Sequence, residues 1–213
     1  MKTDDLINLL ATGVEPVAPH SAERRYAKAI SLGLAAATLL MLATLHLRSD
    51  LADAMLQSMF WIKLGFVGSL ACAGGFASLR LAKPGAPTRP ITALFITPVF
   101  LMWALATLVL AGTAPEERTA LILGQTWNSC PLLIALLSIP VFVASIWAMK
   151  GLAPTQPRFA GFAAGLLAGA TAALVYCFHC PESAAPFIGI WYTLGIFIPA
   201  VIGAAIGPRL LCW

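Results

Sequence analysis

The stretch FAGFAAGLLAGATAALVYCF, residues 159–178, decides the fold, because its 20 positions carry no charged residue. A helix adds about 1.5 Å per residue, so about 20 mostly apolar residues are needed to cross a hydrocarbon layer about 30 Å thick. The small-residue run GFAAGLLAGATAA (161–173) reads as a surface for close helix packing and not as a pore lining. Arg158 precedes the span, and Pro181 and Pro186 follow it.

The same length scale finds five further spans, at roughly 28–47, 57–79, 90–112, 131–149 and 187–206. Only 10% of the 213 residues are charged and 60% are hydrophobic; a soluble domain carries about 25% charged residues. The sequence therefore predicts an all-α, polytopic membrane protein of six transmembrane helices, with lipid as its solvent. No long hydrophilic block is left over for a separate soluble domain. MKTDDLINLL has acids where a signal peptide has its basic region, so it does not read as a cleavable leader.

The net charge of +4 does not make this a nucleic-acid binder, because the basic residues sit between apolar runs. Lys2, Arg24, Arg25, Lys28, Arg80, Lys83, Arg89, Lys150, Arg158 and Arg209 fall on one side of the membrane, and only Arg48 and Arg118 on the other. That bias places both termini in the cytoplasm. Cys130, Cys177 and Cys180 then lie at the outer surface, Cys72 within the second span and Cys212 in the cytoplasm. Lys63 stands alone among the charges within a span. Beside Phe60 and Trp61 it reads as a lysine that snorkels to the headgroups.

The chemistry-bearing outer residues are His46, Asp50, Asp53, Glu116, Glu117, Trp127, Cys130, Cys177, His179, Cys180 and Glu182. The heptad YCFHCPE (176–182) contains a Cys-x-x-Cys pair. Thiolates and imidazole suit thiophilic ions, but a closed zinc site takes four ligands, usually as two pairs. No permanent metal or cofactor is therefore expected. A Cys130–Cys180 or Cys177–Cys180 disulfide, a labile thiol sensor and inert buried thiols remain open. A redox enzyme or metal-handling protein using Cys177, His179 and Cys180 is the alternative. The pair sits at the C-terminal end of its helix, where the dipole raises a thiol pKa, and there is no second outer pair to receive electrons.

Residues 1–27 form a cytoplasmic segment, and 28–213 the membrane domain. TDDLINLLATG (3–13) predicts a short amphipathic helix, with Thr3 as cap, Asp4 and Asp5 in the first turn and Gly13 as stop. Leu6, Ile7, Leu9 and Leu10 make one stripe. The acidic polar face is the reverse of a membrane-surface helix, which favours a protein partner.

The chain resembles the NrsF family of bacterial membrane anti-sigma factors. The resemblance rests on MKTDDLINLLA (1–11), RYA (25–27), FWIKLGF (60–66), WNSC (127–130), LAPTQPRFAGFAAGLLAGATAALVYCFHCPE (152–182), WYTLGI (191–196) and GPRLLCW (207–213), in that order. It implies a regulator, not an enzyme, that holds an extracytoplasmic-function sigma factor at the inner membrane and releases it on stress. It also implies sensing of oxidants or thiophilic metals by two outward cysteines, matched by Cys130 and Cys180 as transient ligands or redox partners. Cys177 matches no family cysteine, and Cys212 stands where the family carries arginine. Asp4, Asp5, Leu6, Ile7, Leu9 and Leu10 are then the expected sigma-factor contact.

Overall fold

The computed structural model describes residues 3–11, 21–82, 89–152 and 154–212. The described elements are α1 (Thr3–Ala11), α2 (Ser21–Thr44), α3 (Leu51–Met55), α4 (Ser58–Leu81), α5 (Arg89–Ala111), α6 (Pro115–Leu123), α7 (Cys130–Lys150), α8 (Pro157–Tyr176), α9 (Ala185–Phe187) and α10 (Thr193–Leu210). A single wide turn of π-helix, Ile188–Tyr192, joins α9 to α10 as one rod. Six helices are long and apolar enough to cross a membrane: α2, α4, α5, α7, α8 and the α9–α10 rod. Among the described residues there is no strand.

The first span starts at Ser21, not near 28 as hydropathy suggests. Arg24, Arg25 and Lys28 are helical residues on its opening turns, because a helix runs through charge as long as the backbone bonds continue. Seven of the residues assigned from sequence to the cytoplasmic segment, 21–27, are thus continuous with the first membrane helix.

Helix α8 is the most buried of the six, and α4, α7 and α10 pack around it. Its small residues make this possible. A methyl group added to Gly161 would meet the Gly203 carbonyl, and one on Gly165 the Pro199 carbonyl. On the opposite flank, a Cβ at Gly74 of α4 would lie 2.8 Å from the Leu167 backbone. Side chains are absent where backbones touch, so dispersion between close backbones holds the bundle in a solvent as apolar as its own core.

Two buried clusters mark the two ends of the bundle. Tyr26, Leu81, Met149, Ala160 and Leu211 gather at the end where α2 begins and α10 finishes. There Arg25 Nη2 donates to the Trp147 carbonyl at 3.0 Å, and the guanidinium lies 4.4 Å from the centre of the Trp147 ring. Gly151 leaves room for it, since a Cβ there would strike the guanidinium. Cys130, Tyr176, Cys177, Cys180, Phe187 and Tyr192 gather at the far end.

Candidate functional site

The site is built from the end of α8. The chain winds on past Tyr176 for one more turn, with the amides of both His179 and Cys180 donating to the Tyr176 carbonyl at 3.0 Å. Pro181 has no amide hydrogen and ends the coil. This tight turn drives Cys177 and Cys180 into the bundle. Cys130 opens α7 beside them, its amide bonded to the Thr126 carbonyl at 2.9 Å. All three thiols are free and 0% exposed. The expectation of thiols exposed at the surface is therefore corrected: they are at the end of the bundle but buried within it.

Cys130 and Cys180, fifty positions apart, come within hydrogen-bonding reach of each other, with the Tyr176 hydroxyl beside both. The Tyr192 hydroxyl faces the sulfurs of Cys177 and Cys180 and has no oxygen or nitrogen partner. The two cysteines of the Cys-x-x-Cys differ sharply. Cys177 ends the last turn of α8, inside the apolar cluster. A hydrogen bond from Cys130 and the nearby Lys63 charge hold Cys180 below the ordinary thiol range, against the effect of burial. For Cys180 the Cys130 hydrogen bond and the Lys63 charge act against the helix dipole.

Lys63 is the largest departure from the sequence reading. It does not snorkel. Only 1% exposed, it reaches from α4 into the bundle, and its Nζ donates to the carbonyls of Cys180 at 3.1 Å and Glu182 at 3.0 Å. The ammonium also lies 5.0 Å from the centre of the Tyr192 ring. The signal was present, since an ionisable group inside a span is a functional candidate by default.

The heptad also ties together the connections at this end. His179 Nδ1 bonds the His46 carbonyl at 2.9 Å, and the Arg48 amide donates to the Phe178 carbonyl at 3.2 Å. Arg48 Nη1 donates to the Cys180 carbonyl at 3.3 Å while its other nitrogens grip Asp50 at 2.6 and 2.7 Å. That grip pulls the exposed Asp50 carboxyl down to about 2. The Glu182 carboxylate accepts from the Gln125 amide at 2.7 Å, just past Gly124, whose φ of +54° favours glycine. Trp127 packs on Trp191, ring centres 5.4 Å apart, and Trp191 Nε1 donates to the Ile122 carbonyl. His179 is thus turned to the His46 carbonyl, and Asp53, Glu116 and Glu117 stay on the surface. Among the described residues, no three of His, Cys, Asp and Glu converge as metal ligands.

Helix α1 leaves Asp4, Asp5, Leu6 and Ile7 exposed, the last two at 42% and 57%. Leu9 and Leu10 continue the helix, but their side chains, and Gly13, lie outside the described residues. Cys212 is exposed, its thiol 3.4 Å from the Arg209 carbonyl, and Cys72 is exposed on α4.

A protein-family model described as negative regulator of sigma F, NrsF, matches residues 10–213. The chain belongs to the NrsF family. A probable anti-sigma-F factor NrsF of Azospira oryzae is 57% identical over 213 residues, the whole of both chains. The anti-sigma-F factor NrsF of Caulobacter vibrioides is 41% identical over 219 residues, again the whole of both chains. No solved structure matches. NrsF relatives are thus named as regulators.

Proposed function

We propose that this NrsF protein is an anti-sigma factor that holds an extracytoplasmic-function sigma factor at the bacterial inner membrane and releases it when Cys130 and Cys180 are oxidised or captured by a thiophilic ion. Both termini are cytoplasmic in this reading. Residues 1–27 make the contact, with Leu6, Ile7, Leu9 and Leu10 entering an apolar groove and Asp4 and Asp5 meeting a basic surface. The observation that carries the sensor is the meeting of Cys130 and Cys180 in one buried pocket. Exposed Leu6 and Ile7 on a short helix support the contact, because so short a helix is marginal in water without a partner.

A thiol modification releases a partner only if the modified form binds it more weakly. A disulfide between the first residue of α7 and the turn after α8 would alter how those two helices pack, and α2 lies against α7. The test is co-purification of the full-length protein with the sigma factor encoded beside it. Deletion of residues 1–13 should abolish capture, whereas undiminished capture removes that segment as the contact. The double variant Cys130→Ser, Cys180→Ser should capture the sigma factor and fail to release it under oxidant or cadmium. Normal release from that variant would sink the sensor.

A further inference from the structure

Lys63 is a buried cation whose neighbours include no carboxylate. The one acid of the adjoining turn, Glu182, spends its carboxylate on the Gln125 amide and offers Lys63 only its backbone carbonyl. An ammonium carries three donors. Two go to the carbonyls of Cys180 and Glu182, and the charge rests over the Tyr192 ring. Taking an ammonium out of water is costly, and an apolar side chain at this depth would avoid that cost. The two carbonyls flank Pro181, so one side chain on α4 fixes the backbone on both sides of the residue that ends the coil. Arg48 adds a second donor to the Cys180 carbonyl, from the connection after α2.

We propose that Lys63 is the positioning residue of the thiol pair: by pinning the carbonyls of Cys180 and Glu182 it holds the Cys180 sulfur against Cys130, so that the two can join. This rests on the thiol-switch reading above. The reaction is a two-electron oxidation by a small disulfide. The Cys180 sulfur attacks one sulfur of the oxidant and expels the other as a thiolate, giving a mixed disulfide. The Cys130 sulfur then attacks Cys180 and expels the second thiolate. One S–S bond breaks, one forms, and the two protons of the cysteines end on the two released thiols. The second step is intramolecular, so its equilibrium reads how well the sulfurs are held together. Cys130 is fixed by the first turn of α7, whereas Cys180 lies outside any regular helix. Lys63 supplies the constraint that the coil end lacks.

The test uses full-length protein in nanodiscs equilibrated with buffers of defined glutathione to glutathione-disulfide ratio. The Cys130–Cys180 disulfide is counted by mass after alkylation, in a Cys72→Ser, Cys177→Ser, Cys212→Ser background. Loss of two charge-assisted hydrogen bonds in Lys63→Met should lower the disulfide equilibrium constant by about tenfold or more. Lys63→Arg, which keeps two donors, should restore it to within about threefold. The detergent melting temperature is read in parallel. A merely structural lysine would lower melting and disulfide formation together with no rescue by arginine, and that result overturns the proposal. An unchanged equilibrium constant in Lys63→Met overturns it too. Should the parent protein form no Cys130–Cys180 disulfide in any buffer, the oxidation route of the thiol switch falls and takes this inference with it, leaving only capture of a thiophilic ion.

Discussion

Breaking the clasp between Arg25 and Trp147 should loosen the start of α2 by a calculable amount. Arg25→Met keeps the apolar stem and removes the guanidinium. What is lost is one charge-assisted hydrogen bond to the Trp147 carbonyl at 3.0 Å and a cation–π contact at 4.4 Å. Arg25 is half-buried, so the low ends of the usual ranges apply: about 1.5 kcal/mol for the bond and about 0.5 kcal/mol for the ring contact. The sum, about 2 kcal/mol, corresponds to roughly a 30-fold rise in local opening, since 1.4 kcal/mol is tenfold. Hydrogen exchange of the α2 amides, read by mass spectrometry on peptides spanning 21–30 in nanodiscs, reports that opening when reclosing outpaces exchange. Gly151→Val reaches the same end from the other side, because a side chain there takes the space of the guanidinium. Both variants should accelerate exchange at 25–30 and leave α10 unchanged. A rise below about threefold in both would show that α2 is held by its apolar face alone.

Other outcomes are expected elsewhere in the molecule. Cys177→Ser should leave stress release intact, and native Cys177 should resist maleimide at pH 8, because its thiol is buried in the bundle; rapid labelling would refute this. The Asp50 carboxyl is held down by Arg48, so the stabilisation it gives the connection after α2 is complete above the ordinary aspartate value and is lost as pH falls through about 2. Carbon NMR of labelled Asp50 should titrate there, and an ordinary aspartate midpoint would contradict the Arg48 grip. Gly165→Ala places a methyl on the Pro199 carbonyl, a clash that two backbones can relieve only by parting. Overpacking of this kind costs about 3 kcal/mol at the upper end of its range, and the measure is a lower melting temperature in detergent, with unaltered melting as the contrary result.

The six spans were legible because hydropathy is a one-dimensional signal that needs no partner. Their small-residue packing was legible too, since GFAAGLLAGATAA has little else to offer a neighbour. The start of α2 was not, because a hydropathy window stops at Arg24, Arg25 and Lys28 whereas the helix does not. At the site, Lys63 was visible as an oddity, but its meaning was not. Near a span end and beside Phe60 and Trp61, snorkelling is the local answer. The carbonyls that instead receive its ammonium come from a turn more than a hundred residues away. Cys130 and Cys180 were named through family resemblance, and nothing in their spacing announces that two helix ends bring them together. The depressed pKa of Cys180 was invisible for the same reason, because it depends on Cys130 and Lys63. Arg48 and Gln125, which hold the heptad in place, lie in connecting segments that periodicity does not reach.

The bare seam between α8 and α10 has a genetic consequence. No single-base change in a glycine codon yields a smaller residue, so every missense allele at Gly161, Gly165 or Gly203 inserts atoms where a carbonyl already stands. Selection for cells with unrestrained sigma activity would then recover alleles at these codons, a membrane's depth from the thiols for Gly161 and Gly203. On the proposed thiol switch, such alleles would be blind to the inducing chemical while leaving every cysteine in place. A mutational map drawn from such a screen would outline the scaffold of the bundle before it outlined the sensor.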